Sequence, residues 1–168
     1  MKILAKSNVK RILRIIYCTR ENPNVPYRFR DAYTNYLLPI NRLSIEHVVP
    51  KCYLPKINVW DLNNLLLVDK QLNNFRSISK FDTCNRRNKS FCPPYGESKG
   101  VVARVCAHML YTYPTIDSKL VIDKEVLLEW NERYPVTDIE KYRNEKIYYY
   151  QGTYNEFIDK DVLKFVEK

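Results

Sequence analysis

No apolar run in the 168-residue chain approaches the roughly 18 residues that a membrane span requires, so no membrane segment is expected. Internal repeats, low-complexity tracts and linker-like breaks are also missing. A chain of this length can bury one core unaided, and a single domain over 1–168 is expected. Histidine occurs only twice and no Cys-x-x-Cys pair occurs. A structural zinc site takes about four ligands, usually with a close cysteine pair, so a zinc-stabilised module is a weak reading. The five cysteines, Cys18, Cys52, Cys84, Cys92 and Cys106, are odd in number and widely spaced. Reduced, packed thiols are expected instead of a disulfide framework. Near the N-terminus, Lys6 cuts the apolar run and Lys10, Arg11 and Arg14 follow. A secretory segment needs roughly 7–15 apolar residues, so no signal peptide is read and an intracellular setting is expected.

What the chain does have is charge of one sign in one place. The net charge is +9. Residues 1–69 carry eleven Lys/Arg against five Asp/Glu, and residues 70–104 carry eight against two. Residues 115–168 reverse the balance, with nine against twelve. A basic front and a mildly acidic back suit a face made for a polyanion, although a solvated basic surface would look the same. Fourteen tyrosines could stack on bases or simply follow codon bias.

Apolar positions at Ile3, Leu4, Val9, Ile12, Leu13, Ile15 and Ile16 recur at helical spacing opposite Lys10, Arg11 and Arg14, predicting an amphipathic helix that ends near Cys18. Pro23 and Pro26 make a loop, and residues 27–42 have no clear period. Alternation at Leu43, Ile45 and His47 predicts a strand closed by Pro50. Asp61-Leu-Asn-Asn-Leu-Leu-Leu-Val68 reads as a second strand. Asp69 is a good N-cap for a short helix to Arg76. After a polar, basic stretch over 77–99, helices are expected at about 99–113, 123–133, 137–150 and 158–167. The fold class is α+β: a small hairpin plus helix among mainly helical segments.

Cutting a phosphodiester requires a water that loses a proton and positive charge on the phosphate. A histidine near its ordinary pKa of about 6.5 can take the proton. A Mg²⁺-like ion held by one or two protein oxygens can supply the charge. Glu46 and His47 are adjacent on the first strand, and Asn73 lies on the helix that can fold back over the hairpin. Neighbouring strand residues face opposite ways, so the pair needs a strand end or a distortion to act together. Alone, a Glu-His pair is most simply a surface carboxylate beside a half-buried imidazole.

The runs Ile45-Glu-His-Val-Val-Pro-Lys51, Asp61-Leu-Asn-Asn-Leu65 and Leu72-Asn-Asn-Phe-Arg-Ser77 resemble the bacterial endonuclease I family, with its E-H-V-x-P strand, D-L-H-N-L strand and V-N-x-x-R-S-N helix. Pro93-Pro94 before Lys99-Gly-Val-Val-Ala-Arg104 resembles the family's next helix. Leu128-Glu-Trp130, Pro135-Val136, Arg143-Asn144 and Gln151-Gly152 resemble its closing stretch, so coverage runs over roughly 43–159. The resemblance implies a ββα-metal (His-Me finger) core at about 43–76. It gives His47 the role of general base and makes Glu46 and Asn73 the ligands of one Mg²⁺, for which Mn²⁺ or Ca²⁺ could substitute in binding. Arg76 is implied to lie by the phosphate, with Arg104, Lys99, Arg86 and Arg87 as candidate nucleic-acid contacts.

Three positions depart from the pattern. Asn63 stands where the family has His, Ile78 where it has Asn, and Gln151-Gly-Thr-Tyr-Asn-Glu156 lacks the family's Arg and Pro. The missing export signal is a fourth departure and suits an intracellular, cytoplasmic or virion-associated member. Trp60 and Trp130 read as core aromatics, and His108 as a packed or half-exposed helix residue. The resulting expectation is a monomeric, Mg²⁺-dependent, sequence-nonspecific endonuclease on DNA, with RNA left open, and no membrane partner. A nucleic-acid-binding or virion structural protein on the same fold, with its chemistry lost, is the alternative.

Overall fold

The structure is a computed structural model that describes residues 4–19, 27–83, 90–160 and 162. Its first element, α1 (Lys6–Tyr17), buries Val9, Ile12, Leu13, Ile16 and Tyr17 while its basic face stays in solvent. At Cys18 the backbone turns extended and β1 (Cys18–Thr19) begins. This strand pairs with β2 (Arg28–Arg30), which pairs with β3 (Leu37–Leu38), both antiparallel. Strands of two or three residues are too short to show a period, which is why residues 27–42 read as ambiguous.

The central hairpin joins β4 (Leu43–His47) to β5 (Leu65–Asp69), antiparallel, with Glu46 opposite Leu66 and His47 opposite Leu65. All of β5 is buried. The expected strand over residues 61–68 therefore begins four residues later. Asp61 accepts from the Asn63 amide and starts a 3₁₀ turn, Leu62–Asn64. Asp69 ends β5 and caps α2 (Lys70–Arg76), its side chain accepting from the amides of Gln71 and Leu72. Such a cap is worth about 1 kcal/mol. Strand, strand and helix thus follow with no loop before the helix, and α2 packs on both strands.

Among the described residues three longer helices follow: α3 (Gly96–Thr112), α4 (Lys124–Arg133) and α5 (Asp138–Gln151). Thr137 caps the start of α5, and Gly152, at φ +78°, turns the chain out of it. The mostly buried α3 packs on α4. Gly100 allows this approach, because a Cβ there would lie 2.4 Å from the Tyr134 carbonyl oxygen. Buried apolar side chains from Leu4 to Val162 form one core, with Trp130 inside it. The last expected helix, over 158–167, falls mostly outside the described residues. Glu156–Ile158 before it is a 3₁₀ turn. Among the described residues, no helix is long and apolar enough to cross a membrane.

Cys18, Cys52 and Cys106 are free thiols, but Cys92 is disulfide-bonded. The expectation that every thiol is reduced is corrected at Cys92, and Cys84 lies outside the described residues.

Candidate active site

The β4–β5 ladder ends at His47 and Leu65, and the chain there is held by a side chain. Val48 N–H donates to the Asn64 carbonyl at 3.0 Å. Val49 N–H donates to Asn64 Oδ1 at 2.8 Å, and Asn64 Nδ2 donates back to the Val49 carbonyl at 2.9 Å. At this end Glu46 and His47 line one open pocket of about 410 Å³, together with Lys51, Asn73, Ser77 and Ile78.

Glu46 is buried. Its Oε1 accepts from the Tyr33 hydroxyl at 2.7 Å and from Arg76 Nη1 at 2.8 Å. Burial raises its pKa, and Arg76, Tyr33 and the His47 amide pull it back. The Tyr33 hydroxyl is pushed well above its ordinary value by burial and by Glu46, so it donates and does not ionise. Arg76 spends its remaining donors on backbone: Nε on the Ser79 carbonyl, Nη1 also on that of His47, and Nη2 on that of Val48. At 1% exposure it ties the end of β4 to the end of α2 from below. The implied contact of Arg76 with phosphate is corrected, since no N–H group reaches the surface.

His47 Nε2 lies 3.0 Å from the Val59 carbonyl oxygen. A carbonyl only accepts, so the ring proton sits on Nε2 and Nδ1 keeps its lone pair. Trp60, half-buried and not in the core, packs against the ring at 5.6 Å between centroids. Burial lowers the His47 pKa, Lys51 and Arg76 lower it further, and the Val59 bond opposes them. The imidazole is accordingly neutral near pH 7.

Asn73 reaches back from α2, and its Nδ2 donates to Ser44 Oγ at 2.9 Å and to the Ile45 carbonyl at 3.0 Å. With the nitrogen spent on β4, the carbonyl oxygen Oδ1 has no donor among the described residues. A buried carboxylate and a free amide oxygen on one pocket suit a hard cation that keeps several waters. Among the described residues, no three His, Cys, Asp or Glu side chains come together, so the zinc module finds no ligand cluster there.

The other expected contacts are elsewhere. Arg104 is 1% exposed and makes a two-pronged pair with Glu140, Nε to Oε1 at 2.8 Å and Nη2 to Oε2 at 2.7 Å. Its Nη1 donates to Asn131 and to the Tyr134 carbonyl, so Arg104 ties α3 to α4 and α5, and its expected role as a nucleic-acid contact is corrected. Lys99 is half-buried over the Tyr134 ring and does not line the pocket. Arg86 and Arg87 lie outside the described residues. His108 is a buried residue of α3, as its apolar surroundings suggested.

Of the departures, Asn63 is fully buried, donating to Asp61 and Thr153 beneath the hairpin. Ile78, in contrast, is exposed at the pocket. Sequence reasoning missed Tyr33, the Val59 carbonyl and Lys51. Only Lys51, directly after the E-H-V-x-P run, carried a signal that could have been used.

A hairpin running straight into a helix, with a neutral histidine, a buried carboxylate and an amide oxygen around one pocket, has the parts of a metal-assisted phosphodiesterase. The model of the Endonuclease I family matches residues 82–162. This supports an endonuclease I family assignment for the chain, and with it the class of nuclease hydrolases. No curated protein matches the chain. The matched segment lies after the hairpin and α2, so the pocket and the family match are independent observations.

Proposed function

We propose that the chain is a Mg²⁺-dependent, sequence-nonspecific endonuclease that hydrolyses DNA, with His47 as general base and Glu46 and Asn73 as ligands of a single cation. One observation carries the reading. The Val59 carbonyl fixes the proton on His47 Nε2 and leaves Nδ1 as a base on the pocket that Glu46 and Asn73 also line. Nδ1 takes a proton from water, the resulting hydroxide attacks phosphorus, and the bond to the 3′ oxygen breaks, leaving a 5′-phosphate. When bound, the cation supplies positive charge to the phosphoryl and leaving oxygens. Arg76 acts through others as a positioning residue, holding Glu46 and the carbonyls that follow it.

The absence of any base-reading motif fits backbone recognition. RNA remains a second substrate to be tested beside DNA. The disulfide at Cys92 weighs against the intracellular setting expected from the N-terminal run. Supercoiled plasmid incubated with Mg²⁺, and separately with EDTA, tests the function. Nicking that EDTA abolishes is expected. Plasmid retention without nicking would instead favour a binding protein that has lost its chemistry, a reading kept open by Ile78 at the pocket.

A further inference from the structure

We propose that Lys51 is a further catalytic residue, whose ammonium holds a non-bridging oxygen of the phosphate being cut. The proposal rests on the nuclease reading and deepens it. Charge builds on the phosphoryl oxygens as hydroxide attacks, and a preorganised donor aimed at that charge is among the strongest catalytic devices known. The pocket needs such a donor, because Arg76 faces inward with its N–H groups on Glu46 and three carbonyls.

Among the described residues, Lys51 is the one cationic side chain that lines the pocket with His47, Glu46 and Asn73. It opens the 3₁₀ turn Lys51–Tyr53 directly after buried Pro50, so its backbone is fixed four residues beyond the base. Its side chain is exposed and its ammonium has no hydrogen bond or ion pair among the described residues. A solvated surface lysine would share the exposure but not the place on the pocket wall. In the step, one water proton moves to His47 Nδ1, a P–O bond forms to the hydroxide oxygen, and the bond to the 3′ oxygen breaks. Lys51 stays protonated throughout and transfers nothing.

The test uses the full chain and its Lys51→Met and Lys51→Arg variants. Plasmid cleavage with Mg²⁺ is measured first. Binding of a labelled DNA duplex is then measured in EDTA over a range of salt. Lys51→Met should cut roughly tenfold to a hundredfold more slowly, the loss of one charge-assisted bond, while Lys51→Arg keeps most of the rate. The Lys51→Met slope of log K against log salt should be shallower by about 0.9. The melting temperature should not move. Cleavage by Lys51→Met within twofold of the parent chain overturns the proposal, whatever the salt slope does. If the parent chain binds duplex but never cuts it, the nuclease reading fails and so does the catalytic role of Lys51; a shallower slope would then mark it only as a binding contact. A parent chain that neither binds nor cuts ends both.

Discussion

Among the described residues sit two buried arginine–glutamate pairs, and their difference separates scaffold from site. In the pair at Arg104, both oxygens of Glu140 are taken by the same guanidinium, and the remaining donor closes onto Asn131 and the Tyr134 carbonyl. Nothing is left over. In the pair at Arg76, the arginine and Tyr33 crowd onto one oxygen of Glu46, and the residue borders an open pocket. Both arginines are 1% exposed, so burial alone does not tell them apart. A fully satisfied carboxylate serves as a brace, whereas one with coordination to spare can take a cation.

The largest expected effect lies beside the second pair. His47→Ala should lower the initial cleavage rate by ~10²–10⁴-fold with little change in melting temperature, and excess Mg²⁺ should not restore it. Cleavage at the parent rate would remove the base and the mechanism together.

Next come the pairs themselves. Arg104→Met and Arg76→Met should each cost about 3–5 kcal/mol in urea unfolding, since either leaves a buried carboxylate unpaired. Only Arg76→Met should also abolish cleavage at a temperature where both variants are folded. Replacing both members by apolar residues sharpens the contrast. Arg104→Met with Glu140→Leu should regain stability and still cut, while Arg76→Met with Glu46→Leu should regain stability at most. Equal activity in the two double variants would erase the distinction.

Asn73→Ala should have a smaller effect, raising the Mg²⁺ concentration needed for half-maximal rate, with partial recovery in excess Mg²⁺. An unchanged Mg²⁺ requirement would take Asn73 out of the cation site.

The smallest effect is in pH. Burial, then Lys51 and Arg76, hold the His47 pKa below its ordinary 6.5. Cleavage needs the neutral ring, so activity is present above the lowered pKa and falls as pH drops through it. The midpoint of the acid limb should therefore lie below 6.5. Stability carries the same sign, because below 6.5 the unfolded chain takes up a proton that the folded ring resists. An acid limb centred above that value would contradict the buried, neutral imidazole.

Elements with a repeating signal were legible in the sequence. Spacing alone located α1, β4 and α2 to within a residue or two, because each carries a capping aspartate, a terminating proline or an apolar period. The first sheet was not legible, since its strands are too short to repeat anything. At the site, the resemblance to the endonuclease I family singled out His47, Glu46 and Asn73, and all three line one pocket. The family resemblance implied Arg76 near the phosphate and Arg104 as a nucleic-acid contact, and residue type within a motif says nothing about depth. Arg76 is held inside mostly by backbone carbonyls, to which any residue contributes alike, and Arg104 by Glu140 and Asn131, far off in the chain.

Arg76 also bears on the order in which the molecule comes together. All its hydrogen-bond partners among the described residues lie between residues 46 and 79. Arg143 on α5, by comparison, reaches back about eighty positions to the carbonyls of Leu62, Asn63 and Leu65. Short loops close at low entropic cost and long ones later. A chain emerging from the ribosome can therefore knit the floor of its cutting site before α5 exists, and wait for that helix to clamp the hairpin from behind.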